Sequence, residues 1–128
     1  MMQTVTTDHA PAAIGPYSQA IQAGDLLFVS GQLPIDPATG SFAPGGVAEQ
    51  TGQCLKNLKA ILVAGGASLA TVVKATVYLK HIDDFAAMNE VYGRVFAEHA
   101  PARAAFEVGA LPKDALVEIE AVAMVGAG

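Results

Sequence analysis

The stretch ALVEIEAVAMV, Ala115 to Val125, is apolar on both faces when read as a β-strand. Side chains alternate across a strand. Val117, Ile119, Ala121 and Ala123 therefore share one face, while Leu116, Glu118, Glu120, Val122 and Met124 share the other, an apolar surface with two carboxylates set into it. TVVKATVYLK behaves alike, with Val73, Ala75, Val77 and Leu79 opposing Val72, Thr76 and Tyr78. A sheet of such strands needs cover on both faces, because a large exposed apolar patch marks an interface. The remaining sequence supplies two helices, enough for one face. The other face is expected to meet a second copy of the chain, with Glu118 and Glu120 near the seam.

The two helices are legible from spacing. Val47, Thr51, Cys54, Leu55, Leu58, Ile61 and Leu62 recur every three or four residues, and Gly65-Gly66 offers a left-handed stop. Asp83-Asp84 can cap a second helix running through Glu98, with Phe85, Met88, Tyr92, Val95 and Phe96 as its inner face. Ala20 to Leu33 reads as a hairpin turning at Gly24-Asp25. The loop PIDPATGSFAPGGV has no period, and RAAFEV and the final strand are joined through GALPKD. The expectation is an α+β fold, one domain over residues 1–128, with a mixed sheet and two helices packed on one face.

With 12 acidic against 7 basic side chains the net charge is −5. Binding to a phosphate backbone through counterion release needs clustered Lys and Arg, so nucleic acid is not an expected partner. The single Cys54 cannot close an intrachain disulfide, and MMQTVTTDHA lacks the basic-then-apolar design of a secretory signal, which together point to a reducing cytoplasm. The most apolar run, AILVAGGASLATVV, is too short and too interrupted for a membrane span.

Two residues stand out chemically. Arg103, behind Pro101, carries a planar guanidinium that can grip a carboxylate with two parallel hydrogen bonds; a surface ion pair is the alternative. Glu118, on a partly apolar face, has its charged form disfavoured and can hold or deprotonate a water; a solvated strand position is the alternative. Ser30 lacks a G-x-S-x-G elbow, and His9, His81 and His99 lack metal-ligand spacing. His99 reads as a cation at a helix end, Cys54 as a core residue, and Asp83-Asp84 as a cap. No cofactor or metal motif survives.

Six segments taken together, AAIGPYSQA (12–20), VSGQLPIDPATG (29–40), VVKATVYL (72–79), DDFAAMNEVYGRVF (83–96), PAR (101–103) and ALPKDALVEIEA (110–121), closely resemble the RidA (YjgF) family of reactive imine/enamine deaminases. The resemblance implies a chorismate-mutase-like fold, a homotrimer with sites between subunits, and no cofactor. It implies hydrolysis of 2-imino acids and enamines, such as 2-aminoacrylate, 2-iminopropanoate and 2-iminobutanoate, to 2-oxo acids and ammonia, sparing pyridoxal-phosphate enzymes from these intermediates. By position in the motifs, Arg103 would clamp the substrate carboxylate, Glu118 orient the attacking water, and Tyr17 close the pocket. Ser30, Gly31 and Asn89 would line the cleft, with the Ala105 backbone at the substrate nitrogen. Ala104-Ala105 stand where many archetypal members carry Ser-Cys. Two other functions compete: a trimer that binds small carboxylates without turnover, and the RNA cleavage attributed to some relatives, which the acidic charge disfavours.

Overall fold

The computed structural model describes residues 2–126. Among these, six strands form one sheet: β1 (Met2–Val5), β2 (Ala20–Ala23), β3 (Leu26–Gln32), β4 (Val72–Leu79), β5 (Ala102–Glu107) and β6 (Val117–Met124). Two helices, α1 (Val47–Ala64) and α2 (Phe85–Val95), complete the element set together with short 3-10 turns. The strand order is β1-β2-β3-β6-β4-β5. All neighbours are antiparallel except β4 and β5, whose parallel pairing requires the crossover that α2 supplies.

The expected hairpin forms at Gly24-Asp25, with Ala23 opposite Leu26 and Gly24 at φ 60°, a conformation glycine reaches without strain. Helix α1 spans the expected residues. Its end is a left-handed stop at Gly66 (φ 80°), where the Ala67 amide donates to the Leu62 carbonyl and the Gly66 amide to Val63. Both helices bury their stripes against one face of the sheet. Leu55, Leu58, Ile61 and Leu62 of α1 and Met88 and Tyr92 of α2 join Val77, Leu79, Val117 and Ile119 in a single core.

The opposite face carries no helix. Phe28 (46% exposed), Phe106 (45%), Val122 and Met124 lie there with Tyr78, Glu118 and Glu120, as the parity of β6 requires. The period-two reading fails at one point, the start of β4. Val72 pairs with Ala123 and Lys74 with Val122, so two residues oppose one and the strand carries a bulge. Val72 turns inward and is fully buried, whereas Val73, expected to share the face of Ala75, is exposed.

Three other expectations change, and one strand has no counterpart in the sequence patterns. Met2–Val5 pairs as an edge strand against β2, although three of its four side chains are exposed and carry no alternating signal. Helix α2 ends at Val95 rather than Glu98, because Phe96 leaves helical dihedrals (ψ 47°) to bury its ring 4.7 Å from that of Tyr92. Asp83 and Asp84 form no side-chain cap; they lie in a 3-10 turn whose Ile82 amide donates to Glu107 Oε1 at 2.8 Å. His99 lies beyond the helix end and places Nε2 2.7 Å from the Val72 carbonyl oxygen, so it ties a strand start rather than a helix terminus.

Buried amides fix the loops. Asn57, fully buried on α1, donates to the Leu33 and Ile35 carbonyls at 3.1 and 2.8 Å and accepts from Gln53. Gln19, also buried, accepts from the Thr7 amide and donates to the Thr7 and Pro11 carbonyls. Replacing Asn57 by Ala strands two carbonyls, each worth about 1 to 3 kcal/mol when left without a partner. Urea denaturation of Asn57→Ala should therefore show a lower midpoint at an unchanged slope; an unchanged midpoint contradicts the anchoring role.

Candidate active site

The residues singled out from the sequence fall into two groups, on opposite faces of the sheet. The first is built by β5 and α2. Arg103 opens β5 next to Ala75, on the helix-covered side, and its guanidinium lies over α2. One guanidinium nitrogen donates to Asn89 Oδ1 at 2.6 Å. The guanidinium carbon sits 4.7 Å from the Tyr92 ring centroid and 5.5 Å from that of Phe85, a cation held against aromatic faces. Among the described residues Arg103 forms no ion pair. A guanidinium offers five donors, so most of its bonding capacity remains open to an incoming carboxylate. Burial raises the Tyr92 phenol above its usual pKa, and the Arg103 charge partly offsets this. Ala105 lies two residues along the same strand, paired with Val77 and packed on the core.

The second group surrounds Glu118 on the other face. Tyr17, Ser30, Gly31 and Glu118 line one hollow of about 570 Å³, closed further by Ile14, Ile35 and Lys113. The irregular register of β3 between Val29 and Gln32 places Gly31 against the Glu118 carboxylate. A Cβ built on Gly31 would lie 2.9 Å from Glu118 Cδ and closer still to Oε2, so only glycine leaves the carboxylate its seat. Burial is the main cause that raises the Glu118 pKa, and the neighbouring Glu120 charge adds to it. A carboxylate in such surroundings is a stronger base than one in water.

Ser30 borders the hollow but its hydroxyl is committed: it donates to the Ser18 carbonyl at 2.6 Å, while the Ser30 amide donates to Gln19. These bonds hold the segment that carries Tyr17, whose ring is 53% exposed at the mouth. Lys113, in the LPKD segment, adopts φ 56° and Asp114 φ 60°, a left-handed pair that side chains rarely adopt, and the Lys80–Asp114 ion pair holds the turn. No sequence period announces such a turn.

Arg103 and Glu118 do not meet within one chain. Glu118 is level with Tyr78, which is level with Phe106, three residues past Arg103 on β5. Two strand spacings and three residue rises put their Cα atoms about 14 Å apart, with the side chains on opposite faces. Cys54 is fully buried and its thiol pushed well above its usual pKa by that burial, consistent with a core residue. Among the described residues no cluster of three or more His, Cys, Asp or Glu could hold a metal ion. No described helix is long and apolar enough to cross a membrane.

Comparison with known proteins gives this geometry a context. Residues 7–125 match the family model described as Endoribonuclease L-PSP. A RutC family protein of Pyrococcus horikoshii is 58% identical over 123 residues, covering 96% of this chain and 98% of that one. A 2-iminobutanoate/2-iminopropanoate deaminase of Capra hircus is 52% identical over 122 residues, covering 95% and 89%. Among solved structures, E. coli TdcF with bound serine superposes with a TM-score of 0.92 at 43% identity, covering 97% of this chain and 99% of that one. The family match spans β2 to β6, both helices and every residue of the two groups, and the chain belongs to the Endoribonuclease L-PSP family, the RidA (YjgF) family of its sequence motifs.

Proposed function

We propose that residues 1–128 form one subunit of a cytoplasmic homotrimer that hydrolyses small 2-imino acids and their enamine tautomers. Substrates of the size of 2-aminoacrylate, 2-iminopropanoate and 2-iminobutanoate would give 2-oxo acids and ammonia before they reach pyridoxal-phosphate enzymes. The observation that carries this reading is Arg103: a guanidinium seated on Tyr92 and Asn89 with no acidic partner among the described residues. The deaminase names of relatives near half identity support it.

The separation of Arg103 from Glu118 is the reason for an assembly. Arg103 of one subunit would hold the substrate carboxylate, while Glu118 of the next, from its hollow beside Gly31, faces the imine carbon. A protonated imine is already electrophilic, so orientation and a poised water suffice. Water adds to C2 as Glu118 takes one of its protons, giving a carbinolamine. Glu118 returns the proton to the nitrogen, the C–N bond breaks, and as C2 becomes a carbonyl its hydroxyl proton passes to the departing ammonia, which leaves as ammonium. Tyr17 would close the hollow, and the backbone at Ala105 would contact the nitrogen end. The open face of Phe28, Phe106 and Val122 would form the seam between subunits.

Serine bound to the related TdcF favours a second reading, in which the same cleft holds a small amino or oxo acid without turnover. RNA cleavage, which the family description names, finds little support in a chain of net charge −5.

Light scattering should give three times the subunit mass of 13.1 kDa. Arg103→Ala should lower kcat/KM at least about a hundredfold, since each charge-assisted bond contributes about 1.5 to 3 kcal/mol. Glu118→Gln should cost about two to four orders of magnitude in rate. Unfolding and refolding the two inactive variants together should restore part of the activity, because mixed assemblies contain sites with both native groups. Loss that no mixing repairs would contradict a shared site, and wild-type protein that binds a 2-oxo acid without accelerating imine decay would select the binding reading. Gly31→Ala should displace the Glu118 carboxylate and lower kcat far more than it lowers thermal stability; a variant with full kcat contradicts the seat inferred for Glu118.

A further inference from the structure

The open face of the sheet holds a second acid that the reaction as written does not use. Glu120 lies two residues after Glu118 on β6, on the same face, which puts the two side chains about 7 Å apart. Their surroundings differ. The Tyr78 hydroxyl donates to Glu120 Oε1 at 2.8 Å across the β4–β6 pair. Glu118 accepts no hydrogen bond among the described residues and rests against the Gly31 backbone in an apolar hollow. A hydrogen bond donated to a carboxylate favours its ionised form, and two nearby carboxyls in unequal environments divide their protons unequally.

We infer that Tyr78 and Glu120 act as a positioning pair for the deamination: the Tyr78 hydroxyl holds the Glu120 carboxyl in place beside Glu118, and the Glu120 charge there makes Glu118 the carboxyl that takes and returns the proton. The inference rests on the deaminase reading above. Tyr78 itself is held for the role, with its ring edge-on to Phe106 at 5.5 Å between centroids. Its phenol is pushed up to about 12 by burial first and then by the Glu120 bond, so it remains a donor throughout the neutral range. The Glu120 charge also contributes, after burial, to the raised Glu118 pKa.

Within the chain the other ionisable groups facing this pair leave the assignment intact, and the Arg103 that the proposed assembly would bring opposite Glu118 is the same in wild type and both variants. Lys113 and Tyr17 border the Glu118 hollow from the loop before β6 and from the N-terminal segment. Cys54 approaches from α1 but is fully buried as a neutral thiol. Lys74, four residues before Tyr78 on the same face of β4, is exposed and forms no ion pair among the described residues. Glu120 is thus the negative group nearest Glu118, and Tyr78 is its donor.

The test titrates the side-chain carboxyl carbons of the intact assembly, labelled with 13C-glutamate, in wild type, Tyr78→Phe and Glu120→Gln, with Glu118→Gln assigning the resonance. Tyr78→Phe keeps the aromatic contact with Phe106 and so preserves the packing. In Glu120→Gln the Glu118 midpoint should fall, because the neighbouring charge is gone. In Tyr78→Phe the Glu118 midpoint should fall as well, by less, because the Glu120 carboxyl is no longer held beside it. The acidic limb of kcat/KM for imine hydrolysis should move to lower pH with the Glu118 midpoint in Glu120→Gln, with a reduced plateau, because a weaker base transfers protons less effectively. Unchanged carboxyl midpoints in both variants overturn the inference. A rate profile that stays fixed while the Glu118 midpoint moves overturns its link to catalysis. Wild-type protein without imine hydrolysis would instead sink the deaminase reading, and the carboxyl titration would still decide whether Tyr78 and Glu120 control Glu118.

Discussion

A sheet has two faces, and in this chain two helices cover one. The consequence follows from hydrophobic burial alone: α1 and α2 bury their stripes on Val77, Leu79, Val117 and Ile119, and Phe28, Phe106, Val122 and Met124 remain on the other side. Because side chains alternate along β6, the same pleat that sends Ile119 into the core sends Glu118 and Glu120 to the uncovered face. The acids are placed by the core, and for Glu118 burial on this face raises the cost of ionisation. Any assembly that covers this face would deepen that effect.

The site residues owe their positions to neighbours that do no chemistry. Gly31 is small enough for the Glu118 carboxylate to lie against its backbone, and the irregular register of β3 brings the two together. Gln19 and Ser30 bond the N-terminal segment and so place Tyr17, while Asn57 ties Leu33 and Ile35 to α1 and fixes the far wall of the hollow. On the opposite face, the aromatic rings of α2 hold the Arg103 guanidinium without neutralising it. Each arrangement keeps a charged group available by giving it packing in place of a counterion, which is how a binding group differs from a surface ion pair.

Sequence patterns were readable where the physics is local. The stripe of α1 repeats with the helical period for five turns, the Gly24-Asp25 hairpin is set by turn chemistry, and the two-faced character of β6 follows from its parity. They failed where a distant contact overrides the local preference. Val73 is turned outward by a bulge that exists only because Val72 must meet Ala123. β1 has no pattern of its own until β2 offers an edge. Arg103 and Glu118 were legible as residue types within motifs, but not as members of opposite faces.

What the amino-acid sequence determined by itself was the inventory: a helix-and-strand order, a family, an arginine suited to a carboxylate, and acids on an apolar strand. Spacing and chemical type are properties of neighbouring residues, so they survive without coordinates. Only the tertiary structure decided that the Arg103 guanidinium has no acidic partner among the described residues, that Gly31 seats Glu118, that Tyr78 bonds Glu120, and that no single chain joins the two groups. Those are relations between strands far apart in the chain, fixed by register, pleat and packing, which no local pattern encodes.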